Sequence, residues 1–267
     1  GGEKMTQSKS KVININMDKE NSSSSSDYAS FVCPNAREQM VKQVVRKKLA
    51  KQRHVVLPKA IDPAYLDSLF PEMLELFKPQ TVNYNGGIGK VPQWKISCYL
   101  EVMDGGVPTA EPNLALLDLF HPLLSSCNQI FMDWYRQQHA CNSRKTSTPI
   151  TDCHRIMTFI TRYTPAPGEQ ALLKHVDGAG KVDGSVVVAL PIDRWSSPEE
   201  ENAFEGGGLT FWDGPKQDEI HYDTRSGDFA LIDRAVWHQA NPITKGTRWA
   251  LVIFYKVIRK NNDSPEK

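Results

Sequence analysis

Apolar residues in the first half of the chain recur at helical spacing. Within residues 35–52 the interval is three or four positions, which predicts an amphipathic helix. The apolar positions are Met40, Val41, Val44, Val45 and Leu49. A second helix is predicted to begin at Asp62-Pro63, because aspartate caps the first backbone amides and proline suits the first turn. A third is predicted from Leu114 to His139.

After Thr151 the periodicity changes from helical to strand-like. Short runs rich in β-branched and aromatic residues alternate with glycine-containing turns. The predicted strands are 155–163, 172–175, 185–190, 209–212, 219–222, 228–232, 236–239 and 247–258. About eight short strands at this spacing indicate a β-sandwich or barrel, with a jelly roll as the natural candidate. Residues 54–58 predict one earlier strand, and residues 81–112 predict loops and a hairpin.

These patterns predict an α+β fold with a jelly-roll core and N-terminal support helices. We expect a disordered tail at 1–30, a helical support region at 31–150, a strand-rich core at 151–260 and a second tail at 261–267. Residues 31–260 would form one structural domain. The serine-rich run within the first tail cannot bury enough apolar surface to offset the entropy lost on ordering.

Composition narrows the class of protein. The 267 residues include 32 Lys+Arg and 31 Asp+Glu, so net charge gives no reason to expect nucleic acid or an anionic membrane as partner. No apolar run approaches the roughly 18 residues of a membrane span, and residues 1–30 are too polar for a secretory signal. Five cysteines without CxxC spacing indicate reduced thiols. We therefore expect an intracellular protein, cytoplasmic or nuclear.

The most informative residues are His175, Asp177 and His238. On a strand, residues i and i+2 point to the same side, so His175 and Asp177 would converge while Val176 faces away. His238 lies at the end of another predicted strand. Two imidazoles and one carboxylate on one face form the ligand set of non-haem Fe(II) oxygenases. Such a set leaves coordination positions for a bidentate 2-oxo acid and for O₂.

The last predicted strand adds a buried cation. Arg248, Ala250, Val252 and Phe254 alternate with a second apolar set, so they share one face. If that face lines the barrel interior, Arg248 carries a permanent charge in an apolar cavity and requires an anion. The carboxylate of a bound ligand would suit its planar guanidinium.

Taken together, these residues resemble the core of the Fe(II)/2-oxoglutarate-dependent dioxygenases, and within them the prolyl 4-hydroxylase-like branch. Three flanking segments are similar as well: Arg162-Tyr163 before a Pro/Gly-containing loop, the glycine turn at 205–211, and residues 226–232 before the second histidine. The resemblance is detailed over 155–258 and holds only in outline over the first half.

The resemblance implies a double-stranded β-helix as the catalytic core. His175, Asp177 and His238 would bind Fe(II) and form the catalytic centre, Arg248 would pair with the distal carboxylate of 2-oxoglutarate, and Tyr163 would reach this cosubstrate from the neighbouring strand. O₂ is the other cosubstrate, and ascorbate an optional accessory. The implied reaction couples decarboxylation of 2-oxoglutarate, giving succinate and CO₂, to hydroxylation of an unactivated C–H bond.

The substrate is left open by these residues. A prolyl or other amino-acid side chain in a peptide is the first candidate, and a free amino acid or small metabolite the second. A nucleic-acid base is the third; only the basic helix around Lys47 supports it, and the near-neutral charge argues against it. The alternative to an enzyme is a cupin-like binding protein without turnover.

The remaining histidines lack partners at ligand spacing. We expect His54, His121, His139 and His154 to occupy satisfied structural positions, and His221 to lie at the surface or on an edge strand.

Overall fold

A computed structural model describes residues 28–79, 94–104, 107–140, 149–165, 173–191 and 204–260. The helices are α1 (Ala36–Leu49), α2 (Pro63–Leu76) and α3 (Leu114–His139). The strands are β1 (His54–Leu57), β2 (Lys95–Asp104), β3 (Val107–Pro108), β4 (Ile150–Tyr163), β5 (Gly184–Ala189), β6 (Phe204–Gly206), β7 (Leu209–Asp213), β8 (Asp218–Tyr222), β9 (Phe229–Asp233), β10 (Trp237–Ala240), β11 (Ile243–Gly246) and β12 (Arg248–Arg259).

Helices α2 and α3 each begin at a side-chain cap. Asp62 precedes α2, and its carboxylate accepts a hydrogen bond of 2.9 Å from the backbone amide of Ala64. The side chain of Asn113 caps α3 by accepting from the amide of Leu116 at 3.1 Å. Each cap satisfies one of the amides that have no partner inside the helix.

The main sheet has seven strands in the order β1-β9-β5-β12-β4-β2-β3. Its outer face packs against the helices in a large apolar core, to which α3 contributes Phe131 and Trp134 and β12 contributes Leu251 and Tyr255. The intervening residues of β12 line an internal cavity, so the predicted alternation of this strand is confirmed.

The smaller sheets, β10-β7-β8 and β11-β6, complete the barrel. A second apolar cluster joins Tyr163 and Ala230 of the main sheet to Leu209, Phe211 and Ala240 of the three-stranded sheet. Two sheets therefore face each other across a common interior. This arrangement confirms the predicted α+β fold with a jelly-roll core and N-terminal helices.

Some predicted segments differ from the structure. The expected hairpin within 81–112 is present as β2 and β3, but β2 is also a ten-residue strand of the main sheet. A register shift between Tyr99 and Glu101 breaks its alternation, which hides the strand from a period-two pattern. The strand predicted at 172–175 is absent over its described residues, 173–175. Conversely, the structure contains two short strands, β6 and β11, that were not predicted.

Both predicted tails lie largely outside the described residues, since residues 1–27 and 261–267 are not described. Tyr28, at the start of the described chain, donates a hydrogen bond of 2.8 Å to Asp133 on α3. The predicted division into domains stays a prediction. Within the described segments, no helix is both long enough and apolar enough to cross a membrane.

Candidate metal centre and anion pocket

His175, Asp177 and His238 meet on one wall of the cavity. His175 and His238 exchange two backbone hydrogen bonds, of 2.9 and 2.8 Å, as an isolated antiparallel bridge. Their Nε2 atoms lie 3.4 and 3.5 Å from the two carboxylate oxygens of Asp177. One potential ligand atom from each of the three residues lies within 4.8 Å of the others.

The local geometry differs from the prediction made for a strand. Asp177 opens a 3₁₀ turn that runs to Gly180, so the pair His175 and Asp177 converges through this turn and not through strand alternation. Val176 was expected to face away, and this was wrong, because it lines the cavity. The bridge to His238 is a contact between distant segments, which local periodicity does not encode.

Backbone carbonyls orient both imidazoles. Nδ1 of His175 lies 2.8 Å from the carbonyl oxygen of Leu173, and Nδ1 of His238 lies 3.1 Å from that of Val236. A carbonyl only accepts, so each Nδ1 carries the proton and donates it. The Nε2 lone pairs then remain free to bind a metal, the usual arrangement of metal-binding histidines.

The electrostatics favour a charged carboxylate between imidazoles. Burial raises the pKa of Asp177, but His238, His175 and the hydroxyl of Ser185 outweigh it and hold the pKa below its usual value. Burial lowers the pKa of His238. For His175, burial is outweighed by the contact with Asp177, and its pKa is raised. A divalent cation would compensate the carboxylate, and this donor set suits Fe(II).

The cavity beside this cluster has a volume of about 1340 Å³. Its other walls come from the inward-facing residues of β2, β4, β5 and β12. Apolar side chains dominate them, among which are Val102, Phe159, Val187, Val252 and Phe254. Such walls exclude water and strengthen electrostatic interactions with any charged group inside.

Arg248 lies in the cavity wall and is only 2% exposed. Its Nη2 donates to Oγ1 of Thr224 at 3.3 Å, while its Nε has no hydrogen-bond partner. No carboxylate pairs with it among the residues that the structure describes, and burial lowers its pKa. A buried guanidinium left in this state is destabilising, so the site fits a ligand carboxylate such as that of 2-oxoglutarate.

Tyr163 lies beside this arginine. It pairs directly with Arg248 across β4 and β12, and the guanidinium carbon is 5.4 Å from its ring centroid. Both residues line the cavity. The structure thus brings Tyr163 to the place that the resemblance implies, although its contact with a cosubstrate stays a prediction.

Sequence reasoning missed two polar residues of the site. Ser185 donates a hydrogen bond of 2.5 Å to Asp177. Its signal was a hydroxyl at the first position of an otherwise apolar predicted strand. Thr224, the partner of Arg248, lies in a loop and offered no signal.

The other histidines behave differently from the cluster. His54 is fully buried and its Nδ1 lies 2.7 Å from Asp213, as a structural residue should be. His221 is exposed on β8, an edge strand of the small sheet. His139 pairs with Asp233 at 3.0 Å. His154 lines the cavity.

Comparison with known protein families gives a match within the strand-rich half of the chain. Residues 158–256 match the sequence model of the 2OG-Fe(II) oxygenase superfamily. This stretch contains the metal cluster, Tyr163 and Arg248. A comparison with curated proteins found no match.

Solved structures share the fold at low sequence identity. An oxidoreductase of the 2OG-Fe(II) oxygenase family from Burkholderia pseudomallei is 16% identical, with a TM-score of 0.55, covering 81% of this chain and 89% of that chain. A prolyl-4-hydroxylase from Pseudomonas putida is 14% identical (TM-score 0.53; 83% and 100% covered). A prolyl hydroxylase from Trichoplax adhaerens, in complex with a hypoxia inducible factor oxygen degradation domain peptide fragment, is 14% identical (TM-score 0.52; 82% and 90%). Residues 158–256 thus match the 2OG-Fe(II) oxygenase superfamily in sequence, and the solved structures show that the chain shares the fold of these oxygenases.

Proposed function

We propose that His175, Asp177 and His238 bind Fe(II), and that Arg248 binds the distal carboxylate of 2-oxoglutarate beside Tyr163. The observation that carries this proposal is the buried guanidinium of Arg248, which faces the same cavity as the cluster without a carboxylate partner in the described residues. The guanidinium of Arg248, which requires an anion, and the carboxylate-containing cluster, which requires a cation, thus line the same cavity.

Each residue has a defined task. The two Nε2 atoms and the carboxylate of Asp177 hold the metal, and Ser185 orients that carboxylate. Arg248 and Tyr163 fix one end of the cosubstrate, and the apolar walls keep water from the reacting groups. Iron, when bound, supplies the O₂ chemistry that an unactivated C–H bond requires.

For the substrate, we propose a prolyl or other amino-acid side chain in a peptide, or a free amino acid or small metabolite. The two prolyl hydroxylases of similar fold support the choice, one of them in complex with a peptide fragment. Cavity size supports a second organic ligand, since about 1340 Å³ exceeds the roughly 300–1,000 Å³ of ordinary ligand pockets. Ascorbate would serve only as an accessory reductant.

A nucleic-acid base is a weaker candidate. Three lysines of α1 are engaged within the protein, which favours a support helix over a phosphate-binding face. Lys42 pairs with Glu38, Lys47 hydrogen-bonds to Tyr222, and Lys48 donates to the backbone of α3.

An anaerobic titration tests the proposal. Metal-free protein receives Fe(II) and then 2-oxoglutarate while visible absorption is recorded. A weak charge-transfer band should appear only when both are present, and His238→Ala should abolish it. If neither metal nor 2-oxoglutarate binds, the proposal is wrong and the chain is better described as a cupin-like binding protein.

A further inference from the structure

Lys95 adds a charged side chain to the polar end of the cavity, one strand beyond Tyr163. It is the first residue of β2 and pairs directly with Tyr163 of β4, which in turn pairs with Arg248 of β12. Residues opposite one another on neighbouring strands share a face of the sheet. Lys95, Tyr163 and Arg248 therefore form a row on the inner face, and all three line the cavity.

The charge of Lys95 has no counter-charge in the described part of the protein. Two other cations of the cavity wall are paired, Arg155 with Glu101 and Lys256 with Asp183 at 3.5 Å. Lys95 is half-buried and forms no ion pair with a described residue. An ammonium group that loses part of its water without gaining an anion is destabilising.

Two more charged residues line the cavity, and their charges cancel. Asp104 and Lys181 are both exposed and of opposite sign. Lys95 differs from both, because it is half-buried and stands in the row of Tyr163 and Arg248. The uncompensated positive charge is therefore located at the polar end of the cavity, in the row of Tyr163 and Arg248, and not among its exposed residues.

A charge count indicates what this lysine requires. With the proposed ligands bound, the ferrous ion and Arg248 are balanced by Asp177 and the two carboxylates of 2-oxoglutarate. The cosubstrate therefore neutralises Arg248 and the metal. The charge of Lys95 then remains as one excess positive charge. One further monoanion would neutralise the complex.

We propose that Lys95 determines substrate specificity by binding a carboxylate of the primary substrate next to the metal. This inference rests on the proposed function, since the charge count assumes both ligands. The substrate is then a free amino acid or organic acid, or a peptide with an acidic side chain adjacent to the residue that is hydroxylated. In either source the recognised group is the carboxylate.

Titration calorimetry of the full chain with Mn(II) and 2-oxoglutarate bound tests this without turnover. The probes are matched acids and amides: L-proline with L-prolinamide, L-leucine with L-leucinamide, and capped Pro-Glu with capped Pro-Gln dipeptides. The free amino acids and the acidic dipeptide distinguish the two sources of the carboxylate. We expect at least one acid to bind about tenfold or more tightly than its amide, which corresponds to about 1.4 kcal/mol.

Two variants locate the effect. Lys95→Met should abolish the preference for the acid, leave the Kd of 2-oxoglutarate unchanged and not lower the Tm. Lys181→Met, which removes an exposed lysine of the same cavity, should keep the preference.

Three outcomes overturn the inference. They are the absence of any preference for an acid in the wild-type protein, a preference retained in Lys95→Met, and a loss of 2-oxoglutarate binding in Lys95→Met as large as that in Arg248→Met. The last would place Lys95 on the cosubstrate. Failure of the proposed function is distinguishable, because wild-type protein would then not bind 2-oxoglutarate at the first step.

Discussion

At the candidate metal centre, the hydroxyl of Ser185 helps to orient the carboxylate of Asp177. This hydroxyl lies 2.5 Å from one carboxylate oxygen and is itself buried in β5. Groups that hold a metal ligand in place commonly change metal affinity by about 10- to 100-fold when removed. If Asp177 binds a metal as proposed, the hydroxyl of Ser185 would act on the metal through this carboxylate.

We predict that Ser185→Ala lowers the affinity for Co(II), a spectroscopic substitute for Fe(II), by about tenfold or more. The affinity is measured from the visible absorption during a titration with Co(II). Ser97→Ala is the matched control, since Ser97 donates to Thr161 in the same sheet, away from the metal ligands. Equal affinities in wild type and Ser185→Ala would show that Asp177 is oriented by other contacts.

The proposed role of Arg248 implies that it lowers the stability of the ligand-free protein. Because its guanidinium is buried without a carboxylate, replacing it with methionine of similar length should stabilise the ligand-free protein. We predict a gain of about 1–3 kcal/mol in the free energy of unfolding, together with loss of the Tm increase caused by 2-oxoglutarate.

Denaturant unfolding with and without 2-oxoglutarate provides the measurement. Lys256→Met, which removes a partly exposed cation already paired with Asp183, is the control and should keep the ligand-induced stabilisation. A less stable Arg248→Met protein would mean that Thr224 and Tyr163 already compensate the charge.

At the scale of elements, the glycine turn between β6 and β7 shapes the anion pocket. Gly207 has a φ of +76°, and a Cβ atom there would lie 2.7 Å from Ile243 and 3.1 Å from Cδ of Arg248. The turn therefore passes directly against the aliphatic part of the arginine. Any side chain at this position must displace it.

We predict that Gly207→Ala lowers both stability, by about 1–2 kcal/mol from the left-handed backbone alone, and the affinity for 2-oxoglutarate. Gly214→Ala is the matched control. Its φ is +90°, but an added Cβ would meet only Gln52 and Ala50 at 3.3 Å or more. Gly214→Ala should therefore lose stability as Gly207→Ala does, but it should bind 2-oxoglutarate with wild-type affinity. If both variants lose affinity equally, the turn affects the pocket only through global stability.

Local patterns allowed some elements to be predicted and not others. The cap at Asp62 and the alternation of β12 depend on residues that are close in sequence, and both were predicted correctly. The bulge in β2 and the bridge between His175 and His238 depend on contacts between distant segments. Lys95 was missed for the same reason, because its place beside Tyr163 follows from the register of β2.

At the scale of the whole molecule, a buried polar network connects α1 to the barrel. Lys47 of α1 hydrogen-bonds to Nε2 of His54 at 3.0 Å and to the hydroxyl of Tyr222 at 2.9 Å. Nδ1 of His54 donates to Asp213 at 2.7 Å. Since Nε2 accepts from an ammonium group, His54 is neutral in the folded protein. Burial, with a contribution from Lys47, lowers its pKa.

This network predicts a pH dependence of stability. The unfolded chain protonates His54 near pH 6.5 while the folded protein does not, so the unfolded state binds more protons and stability falls as the pH decreases. The slope from this residue is at most about 1.4 kcal/mol per pH unit below 6.5. Urea unfolding of the metal-free protein between pH 7 and pH 5 measures it.

His54→Asn should flatten this dependence, whereas His221→Asn, which changes an exposed histidine, should leave it intact. The same slope in wild type and His54→Asn would assign the proton uptake to other groups.

The paired backbones of His175 and His238 also bear on which metal the protein holds. Their mutual hydrogen bonds set the spacing of the two imidazoles before any ion arrives, so the chelator is assembled during folding and has little left to reorganise. Such a rigid set of nitrogen and oxygen donors follows the Irving–Williams order, in which iron ranks below cobalt, nickel, copper and zinc. The fold would therefore give the site affinity for divalent metals without selecting iron over the others. Zinc or nickel would act as a tightly held, inert competitor, and the iron content of the purified protein would reflect the metals available to it where it folds.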